Sequence, residues 1–246
     1  MQKPGRFMKK CIQLFFTIGI IAALPVVLSN CLANENDLIS QNCVSGCTRL
    51  EGRLTTNSGS TGIANVKLTL TWSYRQMIGG ITRTKAATTT DANGYYSINF
   101  LMRDDELGSG YYKIDYIVDK TEYLSFYPEN SISLYNLKKD TLVTTNYLIP
   151  KKAFMKWNVV NQNQIQPSDY FSADVLSLMG YDGKEKSGAV LYWTNTSPSS
   201  SVIEVAGNQP LYVITYKTKG GVRTVKYDTI TIPTRQTADY TFDFNK

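Results

Sequence analysis

Histidine is absent from all 246 residues of the chain. That absence removes Ser-His-Asp and Cys-His nucleophilic machinery, His-ligated metal centres and His-based acid-base catalysis together, because each relies on an imidazole that titrates or donates a lone pair near neutral pH. Cysteine is scarce, with four in the chain. Cys11 lies in an apolar N-terminal run and Cys31 follows it, so only Cys43 and Cys47 stand in the body of the sequence. Two thiolates without histidine do not complete a tetrahedral zinc set, and no metal is expected. Long Lys or Arg runs are missing as well: Lys138-Lys139 and Lys151-Lys152 are isolated pairs, which argues against a nucleic-acid partner. No LPxTG-type sorting signal ends the chain. These absences together predict a protein that is not an enzyme and needs no cofactor.

What is present is aromatic and β-branched. The chain has 17 Tyr, 9 Phe and 3 Trp, and Ala-, Leu- and Glu-rich helical stretches are sparse beyond the N-terminus. That usage suits pleated, half-buried surfaces. The formal charge of +6 belongs mostly to Lys3, Arg6, Lys9 and Lys10, which precede the first hydrophobic run; without them the chain is nearly balanced.

Residues 1–33 read as a targeting segment: a basic start, an apolar run from Cys11 to Leu28 broken by Pro25, then small and polar residues. Leu28-Ser29-Asn30-Cys31 resembles a bacterial lipobox, in which the Cys receives a diacylglyceryl group and becomes the mature N-terminus. Asn30 departs from the small residue usual there, and a cut after Ala33 is the alternative, since Cys31 and Ala33 satisfy a small-x-small rule. The resemblance implies Cys31 as the lipidation site and a membrane partner through that lipid, with multiple acyl chains giving stable anchoring. Leu32 to Gln41 is polar and carries Glu35 and Asp37, which reads as a flexible tether. Acidic residues there also resemble the surface-export signal of Bacteroidetes lipoproteins, leaving the surface and periplasmic faces of the outer membrane both open. Cys43 and Cys47 are spaced to close a small disulfide loop or to remain two free thiols.

From Thr48 to Ile149 short segments alternate in polarity between turn residues. Val66, Leu68, Leu70 and Trp72 share one face of a strand; Tyr96, Ile98, Phe100 and Met102, and Tyr112, Ile114, Tyr116 and Val118, repeat the period. Asp91-Ala92-Asn93-Gly94 marks a turn, with Gly94 free to take positive φ. Asp104-Asp105-Glu106 reads as a solvated hairpin tip. Over Glu51-Gly52-Arg53-Leu54, Gly59, Ile63 to Leu68 and Thr89 to Ile98 the chain resembles carboxypeptidase regulatory-like domains, relatives of the transthyretin and Cna B-type sandwiches. Thr56-Asn57 and Gly62 depart from that family's usual Asp and Pro. The resemblance implies a non-catalytic module of exported proteins, and it brings no catalytic residues.

Strand patterns resume at Phe154–Val160 and recur at Val190–Thr194, Tyr212–Thr218, Val222–Tyr227 and Tyr240–Phe244, with Lys219-Gly220-Gly221 as a hairpin turn. Ser168 to Leu178 is read as able to hold a short helical turn. Leu211 to Phe244 looks like the C-terminal sandwiches of Bacteroidetes lipoproteins. Trp157 and Trp193 are expected in a core, the alternative being a sugar-stacking platform with Tyr192. Asp140-Thr141-Leu142 and Asp228-Thr229-Ile230 resemble the Bacteroidetes O-glycosylation pattern and make Thr141 and Thr229 candidate acceptors.

The fold expected is all-β, with two tandem antiparallel β-sandwich domains of prealbumin or immunoglobulin type after an N-terminal signal helix. Residues 1–30 form the lipoprotein signal peptide, 31–47 a tether, 48–149 the carboxypeptidase regulatory-like sandwich and 152–246 a second sandwich. The function expected is that of a non-catalytic cell-envelope lipoprotein acting as a structural or interaction module, with an envelope protein or glycan as partner. A carbohydrate-binding lipoprotein of a nutrient-uptake system, or an adhesin or fimbrial component, is the alternative.

Overall fold

The computed structural model describes residues 33–75, 79–125 and 130–246. The signal segment and Cys31 lie outside the described residues. The N-terminal half contains β1 (Ala33–Asn36), a single helical turn α1 (Leu38–Gln41), β2 (Thr48–Thr56), β3 (Thr61–Gly62), β4 (Lys67–Arg75), β5 (Gly80–Thr89), β6 (Tyr95–Phe100), β7 (Tyr111–Ile117), β8 (Ser131–Leu134), β9 (Leu142–Thr144) and β10 (Tyr147–Leu148). The C-terminal half contains β11 (Lys152–Val160), β12 (Tyr170–Tyr181), β13 (Glu185–Trp193), β14 (Ser200–Ala206), β15 (Pro210–Lys219), β16 (Val222–Thr231) and β17 (Thr237–Asp243). The chain is all-β, as its composition predicts.

Period-2 patterning decides which side of each strand is dry. In the first half, Leu68, Leu70 and Trp72 of β4 and Tyr112, Ile114 and Tyr116 of β7 meet Leu50 and Leu54 of β2 and Tyr96, Ile98 and Phe100 of β6 in one buried cluster. One sheet of this sandwich runs β1-β5-β4-β7-β8, and β2 with its partners β6, β9 and β10 forms the other. At the expected turn, Asp91 Oδ1 accepts the amides of Asn93 and Tyr95 at 2.8 Å each. Gly94 takes φ +82°, a conformation that a Cβ would strain. Asp91 and Asn93 thus serve the turn.

Beyond Pro150 a second cluster forms. Ala153, Met155 and Trp157 of β11 and Phe242 of β17 face Phe171, Ala173 and Val175 of β12, Trp193 of β13 and Leu211 and Val213 of β15. The sheets are β14-β11-β17 on one side and β13, β12, β15 and β16 on the other. The β15-β16 hairpin pairs Lys219 with Val222, leaving a two-residue turn in which Gly220 and Gly221 have φ +55° and +82°. This is the tight turn predicted, with both central residues at positive φ.

Three readings change. Ser168–Leu178 holds no helical turn; Phe171, Ala173 and Val175 alternate into the core, and β12 is a central strand between β13 and β15. Strand β14, which carries few large apolar residues, went unrecognised in the sequence. The tether also proves structured from Ala33 onward: β1 pairs in parallel with β5, from Ala33 opposite Ile81 to Asn36 opposite Thr84.

The two clusters are joined by a shared sheet. Tyr147 and Leu148 pair in parallel with Leu54 and Thr55 of β2 and antiparallel with Tyr181 and Gly180 of β12. At the junction, the Leu124 amide donates to the Pro150 carbonyl at 2.8 Å, Lys152 donates to Glu122 at 2.8 Å and Gly207 to Lys151 at 2.7 Å. With its backbone groups engaged in this way, the connection is part of the packed structure.

Candidate functional site

The densest polar chemistry among the described residues lies where the N-terminal segment meets β5. Between Leu70 and Thr71 of β4 the register with β5 slips, so that Leu70 faces Ala86 and Thr71 faces Thr84, and Lys85 is the extra residue of a β-bulge. A bulge re-aims side chains, and here Arg83 and Lys85 both end up buried. Lys85 is 0% exposed. Its Nζ donates to Asp37 Oδ2 at 2.6 Å and to the two carboxylate oxygens of Glu106 at 2.8 and 2.9 Å. An ammonium has three donors, so this geometry uses all of them.

The carboxylates are just as well occupied. Arg103 clasps Asp37 through Nε at 2.8 Å and a terminal nitrogen at 2.7 Å, and the Ser40 amide donates to Asp37 Oδ1 at 3.1 Å. Arg83 bridges Glu35 at 2.9 Å, Asp105 at 2.8 Å and Glu106 at 3.2 Å, and its guanidinium lies 4.9 Å from the centre of the Trp72 ring. The Tyr112 hydroxyl donates to Glu106. Burial by itself would raise the Asp37 carboxyl, but the hydrogen bonds from Arg103, Lys85 and Ser40 outweigh it and hold the group well below the usual carboxylate range. Burial and the neighbouring Glu106 carboxylate push the Tyr112 phenol upward. The arrangement leaves no unengaged nucleophile on Lys85; its chemistry is that of a lock. Ser40 completes that lock by exchanging hydrogen bonds with the Leu101 backbone at 3.1 and 3.2 Å.

Sequence reasoning assigned Asp37 to a tether and Glu106 to a solvated tip. Asp37 and Glu106 are instead buried, while Asp104 stays exposed and pairs with Lys139. Nothing near Lys85 in the sequence announces its burial, because the bulge that turns it inward is a property of strand pairing. The one usable signal was the clustering of acids at Glu35 and Asp37 and again at Asp104 to Glu106 in a chain with balanced charge.

The other candidate residues are scattered. Cys43 and Cys47 are joined by a disulfide with Cα atoms 5.9 Å apart, just after α1. The Thr141 hydroxyl donates to the Lys138 carbonyl at 2.8 Å. Thr229 is exposed on β16, at the open edge of its sheet. No group of three or more potential metal ligands occurs among the described residues. Trp157 and Trp193 are 6% and 2% exposed and pack edge to face, with ring centres 5.6 Å apart, so both are core residues. Tyr192, one residue from Trp193, points the opposite way and is 55% exposed. Its ring centre lies 5.5 Å from that of Tyr170, at an interplanar angle of 48°. The Trp platform is thus ruled out by burial, and the aromatic surface that does exist is made of tyrosine.

No family model matches the chain, and no curated protein matches it in sequence. Among solved structures it is similar to the shaft pilin SpaA from Lactobacillus rhamnosus GG, at 8% identity and a TM-score of 0.29 over 81% of this chain and 98% of that one. It is also similar to a streptococcal ancillary pilin, at 12% identity and a TM-score of 0.28 over 80% of this chain and 62% of that one. A third similarity is to 3-chlorocatechol 1,2-dioxygenase from Rhodococcus opacus 1CP, at 11% identity and a TM-score of 0.26 over 48% of this chain and 67% of that one.

Proposed function

We propose that the chain is a non-catalytic cell-envelope lipoprotein, exported and anchored through Cys31 to the surface or periplasmic face of the outer membrane, that serves as a structural or interaction module. The observation that carries this reading is the lock on the segment next to Cys31. Strand β1 begins at Ala33 and α1 follows it, and Asp37 between them is sealed against Lys85 and Arg103. A module that hangs from its N-terminus gains from this arrangement, because a pull on the lipidated end is borne by a paired strand and buried ion pairs. The fully engaged Lys85 and the absence of histidine both support a non-catalytic role.

Metabolic labelling with an alkyne fatty acid tests the anchor. The wild-type protein is expected to carry the label and partition with membranes, and Cys31→Ala to lose the label and leave them. An unlabelled wild-type protein whose mature N-terminus is Asn34 would replace the lipid with an ordinary cut after Ala33. Intact-mass measurement of the natively expressed protein tests the two glycosylation candidates: Thr141→Ala and Thr229→Ala are each expected to remove one glycan mass.

A further inference from the structure

We infer that the outer face of the β13-β12-β15-β16 sheet carries a glycan-binding site whose floor is Ser172. The site goes beyond the anchored-module reading and holds with or without a lipid on Cys31. Strand β12 sends Phe171, Ala173 and Val175 into the core, so Tyr170, Ser172 and Asp174 face outward by strand alternation. Registry sets Tyr192 of β13 and Tyr216 of β15 on either side of Ser172. A serine between two tyrosines leaves a notch, and on its Tyr216 side a depression of about 450 Å³ opens over Ser172, bounded by Tyr170, Asp174, Tyr216, Lys217, Thr218 and Arg223, with Tyr192 beside it against the Tyr170 ring. That volume falls within the range of small-ligand sites.

Two independent features point to what the notch takes. Ser172 is 2% exposed and lines the depression, yet its hydroxyl has no hydrogen-bond partner among the described residues. Opening into the depression, that hydroxyl is free to exchange water for a ligand hydroxyl. Above it, Tyr170 and Tyr192 are each about half exposed and tilted toward one another, with ring centres 5.5 Å apart. Asp174 Oδ2 accepts the Tyr216 hydroxyl at 3.1 Å and keeps lone pairs for further donors. Arg223 is exposed and in no ion pair among the described residues.

A pyranose ring fits this combination, since it offers an apolar C–H face to tyrosine rings and a rim of hydroxyls to Ser172, Asp174 and Arg223. An acyl chain would strip water from those polar groups without replacing their hydrogen bonds. A phosphate would meet the Asp174 carboxylate. A flat protein surface would ride on the tyrosine rims and leave the Ser172 hydroxyl unpaired.

The test uses the full-length mature protein in detergent. It is run through native gels containing dextran, mannan, xylan or polygalacturonate and applied to a glycan array. Retardation by at least one polysaccharide, or binding on the array, is expected. Tyr192→Ala, Tyr170→Ala and Ser172→Ala are each expected to raise Kd about fivefold for the glycan bound. Tyr227→Ala, on the same face but outside the notch, should leave Kd unchanged. Thermal unfolding of each variant separates a lost contact from a lost fold, and Ser172→Ala, which removes a single oxygen, is the variant least able to disturb the sheet. Silence across the gels and the array overturns the proposal, as does equal weakening by Tyr227→Ala. A dimer in light scattering that Tyr192→Ala dissociates would assign the face to a second copy of the chain and overturn it as well.

Discussion

The two halves of the molecule place their chemical extremes on opposite sides of the surface. Before Pro150 the charges are inside: Lys85, Asp37 and Glu106 sit deep between β5, α1 and the turn at Asp104–Glu106. After Pro150 one sheet face gathers apolar and aromatic residues on the outside: Tyr170, Tyr192 and Tyr227, together with Val190, stand exposed there. A buried charge is tolerated only when every partner is in place, so it specifies one arrangement of the chain and holds it. An exposed apolar surface is left free for something else to cover. One region therefore fixes the chain, and the other leaves apolar surface uncovered.

Removing the central cation should break the contrast most severely. Lys85→Met leaves Asp37 and Glu106 buried without their shared ammonium, and a loss of about 3–5 kcal/mol is expected, measured from the urea unfolding midpoint. The same ion pairs set an acid limit. Because the folded Asp37 carboxyl lies below its unfolded value, the stability it adds is complete above roughly pH 4 and fades as pH falls through the depressed folded value. The wild-type urea midpoint should drop below pH 4 more steeply than that of Asp37→Asn. On the alkaline side, burial pushes the Tyr96 phenol up to about 12. Stability tied to that group is present below roughly pH 10 and is lost as pH rises through the folded value.

Neighbouring residues on β13 sharpen the comparison within a single strand. Trp193→Ala should cost about 3–5 kcal/mol, because its ring packs against Phe171, Trp157 and Phe242. Tyr192→Ala, one position away, should change stability by about 0.5 kcal/mol or less while weakening glycan binding. Equal destabilisation by the two would mean that the tyrosine face is structural. A smaller effect is expected at the locked end. Replacing Cys43 and Cys47 by Ser opens a loop with a sequence separation of 4, and a loop that short returns about 2 kcal/mol at most to the unfolded chain. Thermal unfolding of the double variant checks it.

Most of the strands could be read directly from alternation. Val66, Leu68, Leu70 and Trp72 are buried in turn, as are Tyr96, Ile98, Phe100 and Met102. Twist, bulges and pairing partners were not legible. Ser168 to Leu178 misled because Tyr170, Ser172 and Asp174 separate its apolar residues with groups that suit a helix surface or an open sheet face equally. The charge cluster was hidden for a different reason: Lys85 lies 48 residues from Asp37 and 21 from Glu106, so no local pattern couples them. The notch at Ser172 escaped notice because it exists only when β13 and β15 bring Tyr192 and Tyr216 alongside.

By itself the sequence determined the all-β class, the turns at Asp91–Gly94 and Gly220–Gly221, and the exclusion of imidazole chemistry, because each depends on residue type and spacing within a few positions. Tertiary structure alone decided that residues 33–41 form a locked strand and turn, that Glu106 and Lys85 are sealed while Asp104 is not, and that the exposed aromatic surface is tyrosine rather than tryptophan. Those outcomes depend on strand register and on a one-residue bulge, and a shift of a single residue reverses which side chains are buried and which meet the solvent.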